Sequence, residues 1–227
     1  MAPSAAHIPP TSLRRAVFVD RDDTLIHCNN LPAPSPKPTY FQPGDLTDPA
    51  LVELLPGVLE SCRRFHAAGL LIVVVSNQGA VARQGATLAQ VHAVNLRLSQ
   101  LLTPSPTLAP NANPPHPSAP HSISPLDRAP LYPQTLLAAA YFCPFHTKGR
   151  DPQFLCPPTA PHPWQKPNPG MLHAAAADLN IDLAHSYMIG DAPRDLEAAL
   201  AAGIPTRHTH LVGPTAKSFI DAAAECL

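Results

Sequence analysis

The sequence predicts an α/β fold built on a parallel sheet, and three observations carry that reading. Short, wholly apolar, β-branched runs of strand length recur along the chain, as strands buried on both faces require. Segments with helical spacing alternate with them. Polar clusters rich in carboxylates follow several of the runs, and ligands in such sheets bind beyond the carboxyl ends of the strands.

The elements follow in order. Arg15 to Asp20 is an apolar run ending in a charge and reads as a buried strand. From Leu51 to Ala68 the residues Leu51, Leu54, Leu55, Val58, Leu59, Cys62 and Phe65 share one helical stripe, which Gly69 ends. Leu70 to Val75 is a second strand, and Thr87 to Leu102 a helix with Thr87 as its N-cap. Leu136 to Phe142 opens Ala-rich and closes strand-like, so it stays open between helix and strand. Gly170 to Leu179 reads as a helix, Ser186 to Asp191 as a strand, and Asp195 to Ala202 as a helix closed by Gly203. Ile204–Arg207 and Thr209–Val212 read as strand material, and the tail from Thr215 as a helix.

Composition sets the limits. Of 227 residues, 31 are proline, against about 5% in average usage. Only 10 are glycine, too few for a collagen repeat, and 45% are hydrophobic, too many for a wholly disordered chain. The prolines crowd into 3–10, 32–49, 104–133 and 152–169, which leaves the intervening segments free to fold. One domain over 13–227 is expected, after a flexible N-terminus at 1–12, with a Pro-rich insertion at 103–134 and a loop at 143–165. The insertion reads as a polyproline-II surface excursion; its other reading is a ligand for an SH3- or WW-like partner.

Lys and Arg number 15 against 16 acidic residues, and no basic run offers a nucleic-acid footprint. No apolar run reaches the roughly 18 residues of a membrane span. The first residues lack the apolar core of a signal peptide, and five scattered cysteines make no disulfide framework. A reduced, cytoplasmic, monomeric protein is expected.

Four clusters carry chemistry: Asp20-Arg-Asp22-Asp-Thr24, Ser76-Asn77-Gln78-Gly79, Gln165-Lys166-Pro-Asn-Pro-Gly170 and Gly190-Asp191-Ala-Pro-Arg-Asp195. Hard carboxylate oxygens around a small cavity suit Mg²⁺. A metal and an amine together neutralise a transferring phosphoryl group, while a carboxylate can attack phosphorus. Asp20 and Asp22, two apart in an extended segment, share a face: one can attack while the other, protonated, serves the leaving oxygen.

These four clusters, in this order, resemble the haloacid dehalogenase (HAD) superfamily of phosphatases. Asp48-Pro49, Leu54-Leu55-Pro56-Gly57-Val58, Ala82-Arg83, Cys143-Pro144-Phe145-His146 and Lys166-Pro167-Asn168-Pro169-Gly170-Met171 are similar to its branch of heptose-bisphosphate and histidinol-phosphate phosphatases. The resemblance implies a three-layer α/β/α Rossmann-like fold with a minimal cap. It implies Asp20 as nucleophile through an aspartyl-phosphate, and Asp22 as general acid and then base. Mg²⁺ would be held by Asp20, the backbone carbonyl of Asp22, and Asp191. Ser76 and Lys166 would stabilise the phosphoryl group, Asn77 would place the substrate, and Asp195 would orient Lys166 or a metal-bound water. Gln165 and Arg83 are further candidates for substrate contact, and Arg21 could also reach a second phosphate or sugar hydroxyl.

The sequence departs from the family at two places. Asp23 stands where the family has Gly, and Gln165 where the heptose phosphatases carry Arg. Relatives in this branch fold a loop around structural zinc. Here Phe145 and Trp164 occupy ligand positions, which leaves Cys143, His146, Cys156 and His162 as a rearranged tetrad, or else a zinc-free loop organised by proline and aromatic packing. Trp164 could wall the pocket or pack the loop, and Cys28 reads as a passive thiol. The expected function is Mg²⁺-dependent removal of the 7-phosphate from heptose 1,7-bisphosphate, with a sugar phosphate lying in an open site. Histidinol phosphate is the alternative substrate, and a non-catalytic scaffold presenting the Pro-rich segment is the alternative of another class.

Overall fold

The computed structural model describes residues 13–29, 31–104 and 131–227. The expected flexible N-terminus, and the Pro-rich insertion apart from its ends, lie outside the described residues.

Five parallel strands form one sheet: β1 (Ala16–Val19), β2 (Leu71–Asn77), β3 (Leu137–Cys143), β4 (Tyr187–Gly190) and β5 (Thr209–Leu211), in the order β3-β2-β1-β4-β5. Val17 registers against both Ile72 of β2 and Tyr187 of β4, so β1 sits at the centre. Pleating sends alternate residues to opposite faces. Val17, Val19, Ile72 and Val74 meet α1 (Val58–Ala67), α2 (Leu88–Leu101) and α5 (Phe219–Glu225). Ala16, Phe18, Val73 and Val75 meet α3 (Gly170–Leu179) and α4 (Pro193–Ala202). The result is the α/β/α sandwich, and burial on both faces is why β1, and β2 as far as Val75, carry no polar residue.

Three readings of the elements change. The helix expected from Leu51 starts at Val58. Pro49–Leu51 is a 3₁₀ turn capped by the Asp48 carboxylate, and Gly57, at φ 77°, redirects the chain after Pro56. Leu51, Leu54 and Leu55 still pack on the core from this non-helical path, so their spacing imitated a helix. The Ala-rich segment that stayed open is strand β3, which among the described residues pairs with β2 alone. Thr206–His208 forms a 3₁₀ turn after Pro205, whose missing N–H cannot join a ladder, and pairing with β4 begins at Thr209. By contrast, α2 has the expected N-cap: Thr87 Oγ1 accepts from the Gln90 amide and Gln90 returns the bond.

Between β1 and α1, residues 31–48 make turns and bends with no helix or strand.

At the end of β4 the fold is unusually close. A Cβ on Gly190 would stand 2.5 Å from the Asp195 Cβ, so only glycine lets α4 start so near the strand. Gly203 is needed for another reason: it ends α4 at φ 97°, with open space where its Cβ would be. Gly190→Ala should lower the unfolding free energy by roughly 1–3 kcal/mol through overpacking, and Gly203→Ala by about 1–2 kcal/mol through backbone strain alone. Urea denaturation of both variants checks this, and a Gly190→Ala protein as stable as the parent would contradict the close approach.

Candidate active site

Asp20 directly follows β1, and its N–H donates to Ile189 O of β4 at 2.9 Å, which draws the two strand ends together. Lys166 reaches this point from a loop far along the chain. Its ammonium is wholly buried and touches three acceptors: Asp20 Oδ1 at 2.5 Å, Val75 O at 2.7 Å and Asp195 Oδ1 at 2.8 Å. Burial alone would lower its pKa, but Asp20 and Asp195 outweigh that and raise it, so the amine stays charged. Asp195 is fixed in turn at the start of α4, where its Oδ2 accepts from the Ala192 amide at 3.0 Å.

Asn77, at the end of β2, holds Lys166 by its backbone. The Asn77 amide nitrogen donates to Lys166 O at 3.0 Å and its oxygen accepts from Lys166 N at 2.9 Å. The expected substrate-placing side chain therefore works as a clamp on the lysine loop.

Asp191, after β4, completes an acidic set. Ligand oxygens of Asp20, Asp191 and Asp195 lie within 4.8 Å of one another, the one such metal-type group among the described residues. Asp191 Oδ1 is buried without a hydrogen-bond partner, and burial together with Asp195 raises its pKa. An orphaned carboxylate oxygen among hard donors fits a small divalent cation. The Asp22 carboxylate is not in this group.

Asp22 is turned towards Arg21. The guanidinium, 1% exposed, donates from Nε to Asp22 Oδ1 at 2.9 Å and from Nη2 to Oδ2 at 3.0 Å, while Nη1 donates to Asn95 of α2. Gln78 adds a bond of 2.7 Å to Asp22 Oδ2, and the Cys28 thiol donates to Oδ1 at 2.9 Å. Burial would raise the Asp22 pKa, but Arg21 and these donors overcome it and the shift is downward. Ser76 Oγ lies alongside, accepting from Gln78 at 2.7 Å and facing Asp22 Oδ2 at 3.4 Å.

Known proteins share both the sequence and the architecture. A D-glycero-β-D-manno-heptose-1,7-bisphosphate 7-phosphatase of Yersinia pestis is 30% identical over 210 residues, covering 92% of this chain and 87% of the relative. The chain belongs to the HAD superfamily of phosphatases. A family model described as HAD-hydrolase-like matches residues 163–212, the lysine loop through β5. A second 7-phosphatase, from Thermosynechococcus vestitus, is 31% identical over 84% of this chain and 76% of its own. A HAD-like phosphatase from Mesorhizobium loti superposes with a TM-score of 0.63 at 24% identity, over 99% of this chain and 90% of that one. The D,D-heptose 1,7-bisphosphate phosphatase of B. bronchiseptica, complexed with magnesium and phosphate, gives 0.56 at 21%, over 93% and 86%. These two share the α/β/α fold. Like its relatives, this HAD protein is a phosphatase.

Several expected residues sit differently from the HAD expectation. Arg21 is spent on Asp22 and Asn95 and cannot reach a distal phosphate. Asp23 adopts φ 55°, and its carboxylate accepts from Cys28 N, Asn29 N and Asn29 Nδ2. Gln165 lies beside Lys166 with its Oε1 buried and unpartnered, while Arg83 pairs with Asp45 at 2.7 Å. Trp164 packs edge-on against Tyr141 rather than walling the site.

The zinc tetrad is not assembled. His162 stacks on Phe145 at 4.0 Å and spends Nδ1 on the Trp164 amide. His146 spends Nδ1 on the Lys148 amide and packs its ring over Gly79, beside Arg83. The Cys143 thiol, pushed up to about 12 by burial, faces Phe145 O. Aromatic stacking of His162 on Phe145 organises this part of the loop, and Cys156 lies buried near Cys143. Gln78, Cys28 and Asn95 are the contacts that sequence reasoning missed. Gln78 carried a signal, two residues beyond Ser76 on the same strand end; Asn95 carried none.

Two measurements check this geometry. Arg21→Met leaves Asp22 without its cation and should cost about 3 kcal/mol of stability; adding Asp22→Asn should recover at least about 1 kcal/mol, as coupled pairs do. Additive losses in the denaturant-unfolding cycle would refute the pairing. Protein purified without a His-tag should carry less than about 0.2 equivalents of zinc by elemental analysis.

Proposed function

We propose that this phosphatase removes the 7-phosphate of a heptose 1,7-bisphosphate through an aspartyl-phosphate on Asp20. The observation that carries the chemistry is the convergence of Asp20, Asp191 and Asp195 with the buried Lys166. The substrate class is supported by the relatives from Yersinia pestis and Thermosynechococcus vestitus, both named as 7-phosphatases of this sugar. Mg²⁺ would be held by Asp20 and Asp191, with the Asp22 carbonyl as the expected third donor and Asp195 beside them. When bound, it supplies positive charge opposite the transferring oxygens.

The residues divide the work. Lys166 fixes one Asp20 oxygen and offsets phosphoryl charge from the side of Val75. An Asp20 oxygen bonds to phosphorus while the ester P–O bond breaks, and the leaving oxygen takes a proton from Asp22. A water then attacks phosphorus, giving its proton to Asp22, and the Asp20–phosphorus bond breaks. Arg21 holds Asp22 ionised in the free protein, the form the second half needs. An arriving phosphate dianion raises the Asp22 pKa by like charge, which favours the proton the first half needs.

Asp20→Asn should reduce hydrolysis of p-nitrophenyl phosphate and of the heptose bisphosphate to background while the fold stays intact by circular dichroism. Dialysis against chelator should abolish activity and Mg²⁺ restore it. Retained turnover in Asp20→Asn would remove the assignment, and preferential turnover of histidinol phosphate in a side-by-side assay would move the substrate.

A further inference from the structure

After β1 the chain turns back on itself between Asp22 and Asn29. Asp23 N donates to Ile26 O at 2.8 Å, and Leu25 N and Ile26 N both donate to Arg21 O, at 3.0 and 3.2 Å. The segment before α1 braces the far side of the turn: His27 N donates to Glu53 O at 3.1 Å, and Leu55 N to Leu25 O at 2.9 Å. Leu25 and Ile26 are wholly buried, so the turn is anchored in the core.

Asp23 stands in this turn in a conformation that suits glycine. Its φ of 55° lies in the left-handed region, which Asp visits when its short side chain bonds locally. Glycine would hold the same backbone without strain. The carboxylate adds three bonds that glycine cannot make: Oδ1 accepts from Cys28 N at 2.9 Å and from Asn29 N at 3.1 Å, and Oδ2 from Asn29 Nδ2 at 2.6 Å. A negative side chain beside a centre that must admit phosphate is also unfavourable. What the carboxylate holds in place offsets both penalties.

It holds Cys28. With its backbone fixed, the thiol reaches back across the turn and donates to Asp22 Oδ1 at 2.9 Å. Cys28 is 1% exposed, so bulk water does not compete for that hydrogen. The torsion that sets the plane of an Asp carboxylate is soft, and donors on both oxygens define it. Arg21 bonds to both Asp22 oxygens, and Gln78 adds a donor to Oδ2. The thiol is the matching donor on Oδ1. Asp22 keeps 26% of its side chain exposed, so this grip leaves it open to substrate.

We infer that Asp23 and Cys28 are positioning residues for the reaction: Asp23 fixes Cys28, and the Cys28 thiol holds the Asp22 carboxylate in the plane from which it serves the leaving oxygen. Both act through Asp22. The inference rests on the phosphatase reading and adds to it two residues that the family resemblance does not supply.

The test compares two esters of similar size and equal charge, phenyl phosphate and p-nitrophenyl phosphate. Phenol is a weak acid, with a pKa of about 10 like the tyrosine side chain, so phenoxide needs a proton as it leaves. Nitrophenoxide leaves far more readily without one. The readout is the ratio of kcat/KM for phenyl phosphate to that for p-nitrophenyl phosphate, which reports the step that expels the leaving group. In Cys28→Ala and in Asp23→Gly this ratio should fall at least about fivefold. Cys28→Ser keeps a donor, and Asp23→Asn keeps an acceptor and tolerates the left-handed backbone; both should hold the ratio within about twofold. Asp23→Gly relieves the backbone, so it carries the test if Cys28→Ala fails to fold. A merely structural role would lower both substrates together. An unchanged ratio in the Ala and Gly variants, or an equal loss on both esters, overturns the positioning role and leaves the phosphatase reading standing. A parent protein that hydrolyses neither ester in Mg²⁺ overturns that reading, and the positioning role with it.

Discussion

A buried ammonium holds this site together. Lys166 is the point where four separate pieces of chain meet: its own loop, the end of β1 through Asp20, the backbone of β2 through Val75, and the start of α4 through Asp195. An ammonium in an apolar interior is costly unless paired and hydrogen-bonded. Hydrogen bonds to Asp20 and to Val75 O, with the ion pair to Asp195 at 2.8 Å, compensate it. The converse also holds. Asp20 and Asp195 are both buried, and at Asp20 the cation acts against the rise in pKa that burial brings. Fold and reactivity therefore share one electrostatic knot, and Asn77 exists in this arrangement to aim it.

The second tier of the site uses the same device on a smaller scale. Arg21 and Asp22 are adjacent in sequence, yet the pair points into the protein because Asn95, 74 residues away on α2, receives the third guanidinium donor. The two carboxylates of the first cluster thus sit in different fields. Asp20 is raised chiefly by burial, with Asp195 and Asp22 adding to it against the pull of Lys166, whereas Asp22 is lowered by Arg21 and its hydrogen bonds. Separating the environments of two acids is what lets them take different roles in one reaction.

Much of this was legible in the residues. Strands buried on both faces leave an unmistakable apolar signature, and the four polar clusters name the strand ends that matter. What was not legible depended on long-range geometry. The helical stripe from Leu51 was phased correctly for the core but not for a helix, because burial only requires that a side chain reach the core, by whatever backbone path. Ala139 and Ala140 favour helix intrinsically, and pairing with β2 overrides that. The zinc tetrad failed for a related reason. Cysteine and histidine spacing shows which ligands are within reach, while the stacking of His162 on Phe145 decides where the ring goes.

The orientation of Arg83 carries the same lesson into specificity. An arginine soon after a strand end can serve catalysis, substrate binding or structure, and sequence alone does not divide those roles. Here Asp45 takes one of its amines, while Nε remains unpartnered beside a cavity whose other cations come from a loop pinned to Ala82. An arginine kept only for structure would have its donors matched, since an unmatched buried donor is costly. Its neighbours would not then need to be positive, because like charges held on one wall repel. Repulsion of this kind is kept in a folded protein only at some cost, and here it falls on Arg83, Lys148 and Arg150 around one cavity.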